Sequence, residues 1–191
     1  MYCSDVVARE MRKWESYLHD KSLPRWEDIP NIGYYMEQLL QQLREYFDYL
    51  PPDVIDGLSI SATTINNYVR TGLMPGPVNK KYYRIHIAYL IMIFTLKLTL
   101  MISTLQQIVR PNMDEEETRR VYTAFAARHK RTTEYFVEQV TRLAANILNR
   151  EDMKHIGTAE NTEDMITSAA VASGLYRLMV VKVLSLQDKT E

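Results

Sequence analysis

The stretch SATTINNYVRTGLMPGPVNKKYYRIHIAYLIMIFTLK, residues 61–97, carries the strongest structural signals in the chain. Ser61 is a good N-cap, because its hydroxyl can accept a hydrogen bond from the first turn of a following helix. That helix is predicted to run to Thr71. Gly72 then supplies the left-handed residue with which many helices end.

The same stretch continues into a turn and a second helix. Leu73 and Met74 are predicted to fold back as apolar anchors, after which prolines and a glycine turn the chain into a short extended loop or hairpin over residues 78–84. A long apolar helix is expected over residues 84–100, and a short helix capped by Ser103 follows it.

The charge pattern sets this region apart from the rest of the chain. The 191 residues contain 23 Lys plus Arg and 24 Asp plus Glu, a formal net charge of −1, yet residues 57–113 contain no carboxylate. The cations in this span are Arg70, Lys80, Lys81, Arg84, Lys97 and Arg110. The span therefore carries about +6 and the remainder about −7, so near-neutrality of the whole conceals a basic module.

The helix after Ser61 has two distinct faces. Ile65, Tyr68 and Val69 share the side predicted to face inward. The opposite side, at i, i+3, i+4 and i+7, carries Thr63, Asn66, Asn67 and Arg70. Asn can pair bidentately with adenine, and Arg with guanine or a phosphate, although any surface helix also has a polar face.

The loop that follows combines cations with tyrosines. Lys80, Lys81 and Arg84 can bind the phosphates that flank a recognition helix, and the hydroxyls of Tyr82 and Tyr83 can do the same. The alternative is that these tyrosines anchor the loop to the core. Helix and loop together have the composition of a recognition helix followed by a wing.

Composition and periodicity predict an all-α protein. Hydrophobic residues make up 46% of the chain and recur three or four apart almost everywhere. A first helix is expected from Ser4 to before Pro24, and a second from the cap Asn31 to Leu50. Between the second helix and the stretch quoted above, residues 53–57 are expected to form at most a single turn.

The best domain boundary lies at Pro111 and Asn112, where acids return to the sequence. We expect an N-terminal helix in residues 1–23, a DNA-binding domain in residues 24–112 and a helical dimerisation or effector region in residues 113–191. The last region begins with a helix predicted over residues 114–149, too long for a compact single helix, so it is expected to pack on a partner helix or a second chain.

The final helix, predicted over residues 162–186, is apolar nearly all round. We expect it to be buried, because Arg177 and Lys182 disfavour a membrane span. His86 and Lys97 disfavour a span in the earlier apolar helix for the same reason. No membrane association is therefore expected.

Several function classes lack their motifs. Cys3 is the only cysteine, so no disulfide framework exists, which suits the cytoplasm, and the N-terminus lacks an apolar signal segment. The four histidines lie in separate segments, and no nucleotide-binding or hydrolase motif is present. We expect neither enzymatic activity nor a metal or cofactor. Two interpretations, a core and an effector pocket, stay open for the aromatics Tyr122, Phe125, Tyr135, Phe136 and Tyr176.

Two family resemblances follow from these motifs. The order helix, Gly-Leu-Met-Pro-x-Pro, Lys/Tyr/Arg loop, long helix with IAYLIMIFTLK and short Ser-initiated helix resembles the winged-helix head of MerR-type regulators, over about residues 59–109. More narrowly, LPRWEDIP at residues 23–30, with INNYVRTGLMPGPVNKKYY, resembles a bacterial family termed domain of unknown function 1836.

The MerR resemblance implies a winged helix-turn-helix fold and a transcriptional regulator that binds double-stranded DNA. The long helix from Asp114 and the apolar final helix predict a homodimer, which would bind a pseudo-palindromic site. The residues expected to contact DNA are Thr63, Asn66, Asn67, Tyr68, Arg70, Lys80, Lys81, Tyr82, Tyr83 and Arg84. The alternative is a non-enzymatic helical adaptor whose basic loop binds an acidic protein partner. Neither interpretation identifies a small-molecule effector.

Overall fold

The computed structural model describes residues 3–20 and 22–186, so the outermost residues of the first and last expected domains lie outside the described residues. Within the described ranges the chain is mostly helical and forms no β-strand, which confirms the all-α prediction. The helices are α1 Ser4–Asp20, α2 Met36–Tyr46, α3 Pro52–Leu58, α4 Ala62–Arg70, α5 Arg84–Lys97, α6 Ile102–Ile108, α7 Glu115–Leu143, α8 Ala145–Leu148 and α9 Thr162–Leu184.

The chain divides into two compact units. The central unit is Leu23–His129, and the terminal unit combines Met1–Ser22 with Lys130–Glu191. The sequence placed a boundary at residue 112, whereas the central unit continues into the first half of α7. Tyr122 explains the difference, because this buried α7 side chain donates its hydroxyl hydrogen to the Pro24 carbonyl at 2.8 Å.

Helix α5 forms the core of the central unit. Nine consecutive residues are buried: His86, Ile87, Ala88, Tyr89, Leu90, Ile91, Met92, Ile93 and Phe94. The Phe94 ring lies 6.1 Å from Phe47, which follows α2, and 5.9 Å from Tyr68 of α4. An apolar helix without a polar face is stable here because other elements cover it on all sides.

The segment before α4 is more ordered than its sequence predicts. Residues 53–57, expected to form at most one turn, belong to the seven-residue helix α3. Its C-cap Ser59 has a left-handed φ of 51°, and buried Leu58 and Ile60 hold the turn against the core. Helices α3 and α4 are therefore separated by only three residues.

Helix α2 begins later than predicted. Asn31 is not its cap; the helix follows Tyr35, whose backbone N–H donates to Gln38 Oε1 at 3.0 Å. The reason is a long-range pairing, since Tyr34 exchanges two backbone hydrogen bonds with Tyr82 and keeps the preceding chain extended. The cap of α6 is likewise Met101 rather than the predicted Ser103.

The terminal unit has a small core of its own. Ala8 of α1 packs with Ala144, Ile147 and Leu148, and the ring of Trp14 meets Phe136 edge-on at 5.7 Å. The helix predicted to run unbroken to residue 149 is interrupted at Ala144, between α7 and α8.

Helix α9 contradicts the predicted burial. Thr162 is its only buried residue, while Leu175 and Leu178 are 61% and 65% exposed. Past its first turns, none of the described elements covers its apolar sides. By length and hydropathy alone this helix could cross a membrane, which is weak support for such a role.

Candidate nucleic-acid interface

The orientation of α4 follows from its cap and its buried face. Ser61 Oγ accepts a hydrogen bond from the Thr64 backbone N–H at 3.3 Å, as the sequence predicts. Ile65 is fully buried, and Gly72 has a φ of +70° where the helix ends. These contacts fix which side of α4 faces outward.

The outward face carries the expected polar residues. Thr63, Asn66 and Arg70 are exposed and Asn67 is half-buried. An Arg70 guanidinium nitrogen donates to Asn67 Oδ1 at 2.8 Å. Asn67 therefore orients Arg70, and Asn66 is the asparagine whose amide remains available for a bidentate contact with an external partner.

An open groove runs along this face. Its lining residues are Ser59, Thr63, Thr64, Asn66, Asn67, Tyr68, Arg70, Lys97 and Ile102. It includes two cations and no carboxylate. Lys97 donates to the Leu58 carbonyl at 2.6 Å, and burial lowers the pKa of its ammonium group. Arg70 is thus the more available of the two charges.

The predicted loop or hairpin is a tight β-turn. Val78 and Lys81 exchange two backbone hydrogen bonds of 3.0 and 2.9 Å around the central residues Asn79 and Lys80. Both central residues have positive φ, 50° and 63°, the backbone of a type I′ turn. Lys80 consequently projects from the tip of a two-residue hairpin and is exposed.

A third segment pairs with this hairpin and supplies a residue that the sequence did not identify. A Cβ at Gly33 would lie only 2.6 Å from Lys81 Cδ, so glycine permits the close approach. The Lys81 ammonium lies 5.2 Å from the ring centre of Tyr35, which is 56% exposed. The sequence places Tyr35 within the predicted second helix, because no residue near it in the sequence indicates that Tyr34 pairs with Tyr82.

The groove, α4 and the hairpin all lie within the segment matched by one protein family. The family model described as Domain of unknown function (DUF1836) matches residues 24–125. The chain belongs to this family. Neither a curated protein nor a solved structure matches the chain significantly.

Three residues of the DUF1836 domain that are expected to contact DNA make contacts within the protein instead. Tyr68 is 2% exposed against Phe94, and burial raises its pKa to about 12; Tyr82 is 3% exposed. Arg84 donates from Nε to the Ile29 carbonyl at 2.7 Å, and its guanidinium lies over Trp26. In this conformation the three side chains support the fold and are not presented to a partner.

His86 anchors the hairpin to α5 of the DUF1836 domain. The Tyr83 backbone N–H donates to Nδ1 at 2.9 Å, so Nε2 carries the proton and donates to the Gly76 carbonyl at 2.8 Å. Burial lowers the pKa of His86 and favours this neutral tautomer. His86 is therefore a buried histidine with both ring nitrogens hydrogen-bonded, and half-buried Tyr83 is the N-cap of α5.

A second hollow of the DUF1836 domain contrasts with the groove. It is lined by Trp26, Glu27, Arg84, Glu115, Glu116 and Arg119. Arg119 bridges Glu27 at 3.2 Å and Glu116 at 3.8 Å. The backbone N–H of Glu27 and the Arg119 guanidinium hold the pKa of the Glu27 carboxyl below its usual range. Three acids and two cations line this hollow, whereas the charged residues of the groove are all cations.

The remaining candidate residues do not converge on a site. No group of three His, Cys, Asp or Glu side chains in the described part of the chain is placed to hold a metal ion. Tyr122 is buried in the central unit, whereas Tyr135 and Tyr176 of the terminal unit are more than half exposed. The groove and the hairpin are therefore the features best suited to bind a partner.

Proposed function

We propose that the protein is a cytoplasmic, non-enzymatic, sequence-specific DNA-binding transcriptional regulator. The observation that carries the proposal is the outward face of α4, where exposed Thr63, Asn66 and Arg70 line a groove without carboxylates. A phosphate-rich ligand meets no like charge along this surface.

The proposed fold type is a winged helix-turn-helix of the MerR kind. Helices α3 and α4, three residues apart, match the spacing of a helix-turn-helix. The hairpin around Asn79 and Lys80 then serves as a small wing. The MerR resemblance covers about residues 59–109, and this proposal adds helix α3, which precedes them.

The proposed chemistry assigns a role to each exposed side chain. Asn66 pairs with an adenine edge in the major groove, whose width of about 12 Å admits a helix. Arg70, held by Asn67, contacts a guanine edge or a phosphate. Lys80 and Lys81 hold flanking phosphates, and Tyr35 lies beside them to pack against a sugar or phosphate.

The proposed active species is a homodimer on a pseudo-palindromic site. Two α4 helices related by a two-fold axis would bind half-sites about one helical turn apart, roughly 34–36 Å or a multiple of that. The dimer geometry then sets the spacing of the half-sites.

The proposal is tested by selecting bound duplexes from sheared bacterial genomic DNA at two salt concentrations. Wild type is compared with Asn66→Ala and with Asn31→Ala, an exposed asparagine outside α4. We expect one enriched motif whose preference disappears at one base position per half-site in Asn66→Ala and is retained in Asn31→Ala. Removing one bidentate pair should reduce discrimination by about 1–3 kcal/mol.

The hairpin is tested with Lys80→Gly, because glycine removes the charge while tolerating the positive φ of 63°. Binding should weaken equally for all sequences, and the slope of log K against log salt should fall by about 0.9 for each phosphate that is no longer neutralised. Arg131→Ala, an exposed cation of the terminal unit, is the control. Absence of any enriched motif with wild type would refute the regulator.

A second candidate function is an adaptor for an acidic protein partner. The hairpin residues Lys80 and Lys81, with exposed Tyr35 beside them, favour this function, since such a surface suits an acidic peptide as well as a phosphate. Weak, sequence-insensitive duplex binding, together with Lys80-dependent capture of an acidic peptide, would support this function instead.

A further inference from the structure

Helix α9 exposes an apolar surface that is unusual for an uncovered helix. Large apolar side chains are exposed along its length and just beyond: Ile166, Val171, Leu175, Tyr176, Leu178, Met179, Val181, Val183 and Leu186. Soluble monomers rarely expose contiguous apolar patches larger than a few hundred Å². This surface therefore requires a cover that the described chain does not supply.

The helix is attached to the terminal unit at one end. Thr162 is buried, and Met165 packs against the cluster of Ala8, Ala144, Ile147 and Leu148. The Asn161 side chain accepts a hydrogen bond from the Asp164 backbone N–H at 3.0 Å and caps the first turn. A fixed start leaves the later turns free to meet a partner.

The charges of α9 indicate the kind of partner. Asp164 and Lys182 are 18 residues apart, which is about five helical turns, so they lie on the same stripe. Val171, Leu175 and Leu178 occupy that stripe between them. The Asp164 carboxylate accepts a hydrogen bond from the Glu160 N–H at 2.9 Å, which holds the carboxylate in place and leaves its negative charge without a cation among the described residues. A second α9 running antiparallel, with its two-fold axis level with residue 173, would place Asp164 opposite the partner copy's Lys182 at both ends.

The same register pairs the apolar residues. Val171 of one copy meets Leu175 of the other on both sides of the axis. Ala172, with only a methyl group, and Gly174, with no side chain, flank the contact and permit close approach. In a membrane, by contrast, Arg177 and Lys182 would lose hydration without an opposite charge beside them. Charge complementarity thus favours a second copy over a bilayer.

The available area is sufficient for a weak specific interface. Residues 166–186 form a helical rod about 31 Å long and about 10 Å across, with a side surface on the order of 1,000 Å². Covering half of that surface on each of two copies removes about 1,000 Å² in total, the lower limit for specific association.

We propose that two copies of this chain associate through antiparallel pairing of their α9 helices, with Val171 and Leu175 at the centre and the Asp164 and Lys182 pair at each end. This inference identifies the interface of the homodimer proposed above. It rests on the proposed function only for the role of that dimer, which is DNA binding.

The first test is sedimentation velocity of the full chain across micromolar concentrations, comparing Leu175→Asp with Ser173→Asp. Both positions are exposed, so both variants should fold, yet Ser173 lies on the side of α9 opposite Leu175. We expect Leu175→Asp to raise the dimer dissociation constant at least about 30-fold, the effect of a hot-spot residue, and Ser173→Asp about 3-fold or less.

The second test is charge reversal. Lys182→Asp should weaken the dimer, because it places two carboxylates together at each end, whereas Arg177→Asp on a different face should have little effect. Asp164 itself is left unchanged, because its carboxylate accepts a hydrogen bond from the Glu160 N–H at 2.9 Å at the start of α9. A monomeric wild type, equal disruption by Leu175→Asp and Ser173→Asp, or equal disruption by Lys182→Asp and Arg177→Asp overturns the antiparallel pair. Co-flotation of wild type with phosphatidylcholine vesicles, abolished equally by Leu175→Asp and Ser173→Asp, also overturns it and assigns α9 to a membrane.

The two proposals fail separately. If Leu175→Asp is monomeric but still prefers a half-site duplex, the α4 assignment holds independently of the dimer. If wild type dimerises through α9 but selects no duplex, the regulator is wrong and the α9 interface stands.

Discussion

Helices α5 and α9 are both rich in apolar residues, yet their surroundings are opposite. From His86 to Phe94 every residue of α5 is buried, whereas Thr162 is the only buried residue of α9. The contrast shows that an apolar helix needs a cover but that its own sequence does not specify where the cover comes from.

The difference arises from the partners available to each helix. The aromatic rings of Phe47, which follows α2, and of Tyr68 in α4 both meet Phe94 of α5. Only the start of α9 reaches a core, through Met165. Substitutions in the two helices can therefore be compared through the unfolding free energy of the monomer. A residue buried within its own chain should affect that free energy, whereas a residue buried only in an assembly should not.

The largest expected effect is at the centre of the aromatic contacts. Phe94→Ala should lower the free energy of unfolding by about 3–5 kcal/mol, because it removes a fully buried ring and leaves a cavity between Phe47 and Tyr68. Urea denaturation at a concentration where the protein is monomeric measures the change. A decrease below about 1 kcal/mol, on the order of a surface substitution, would contradict the packing described for α5.

A single hydroxyl provides the next test. Tyr89 donates to the Arg110 carbonyl at 2.9 Å and accepts from the buried Met113 N–H at 3.2 Å. Tyr89→Phe should destabilise the protein by about 1–3 kcal/mol, because both backbone groups lose their partner. Tyr176→Phe, at an exposed position of α9, is the matched control and should change little. Equal effects of the two substitutions would show that the Tyr89 hydroxyl does not stabilise the fold.

The buried histidine of α5 predicts a pH dependence. Burial lowers the pKa of His86 from its ordinary value near 6.5, so the unfolded chain binds the proton more readily than the folded one. Its contribution is fully present above pH 6.5 and is lost as the pH falls toward the folded-state pKa. His86→Gln, whose amide can donate and accept, should flatten the decline in stability below pH 6.5, as chemical denaturation at several pH values would reveal.

The control for this profile is His155→Gln. His155 is exposed, and its Nδ1 lies 2.9 Å from Thr158 Oγ1 within the terminal unit. His129 also has a pKa lowered by burial, so part of the acid sensitivity should persist in His86→Gln. A profile unchanged by His86→Gln would show that the His86 environment is not as described.

The smallest effect is expected in α9. Leu178→Ser should change the unfolding free energy of the monomer by less than about 0.5 kcal/mol, because Leu178 is 65% exposed. Ile91→Ser at a fully buried position of α5 should cost several-fold more, since it also buries a hydroxyl. If the two variants are equally destabilised at a concentration where the protein is monomeric, α9 packs against its own chain. The contrast between buried α5 and exposed α9 would then be wrong.

Local rules explain where sequence reasoning succeeded at the candidate site. The Ser61 cap, the left-handed Gly72 and the buried pair Leu73 and Met74 all depend on residues within a few positions of each other. The inward position of Ile65 follows from helical period in the same way. These predictions are confirmed.

Long-range contacts explain where it failed. The start of α2 depends on Tyr34 pairing with Tyr82. Arg84 donates a hydrogen bond to the carbonyl of Ile29, which is 55 residues away in the sequence. No pattern within four or five residues contains either contact. Tyr68 and Tyr82 lie in the core although both are among the residues expected to contact DNA. For these two residues the local pattern was informative, since the helical period predicts the inward position of Tyr68 and anchoring to the core is the alternative interpretation of Tyr82.

Neighbouring residues were enough to establish the all-α class, the Ser61 cap and the acid-free span of residues 57–113, because propensity, capping and charge are local properties of a chain. The folded arrangement decided which cations and aromatic rings remain exposed, that Asn67 orients Arg70, and that α9 is left uncovered. Exposure depends on which distant segments supply packing partners, and an apolar helix has the same sequence pattern whether those partners lie in its own chain or in another.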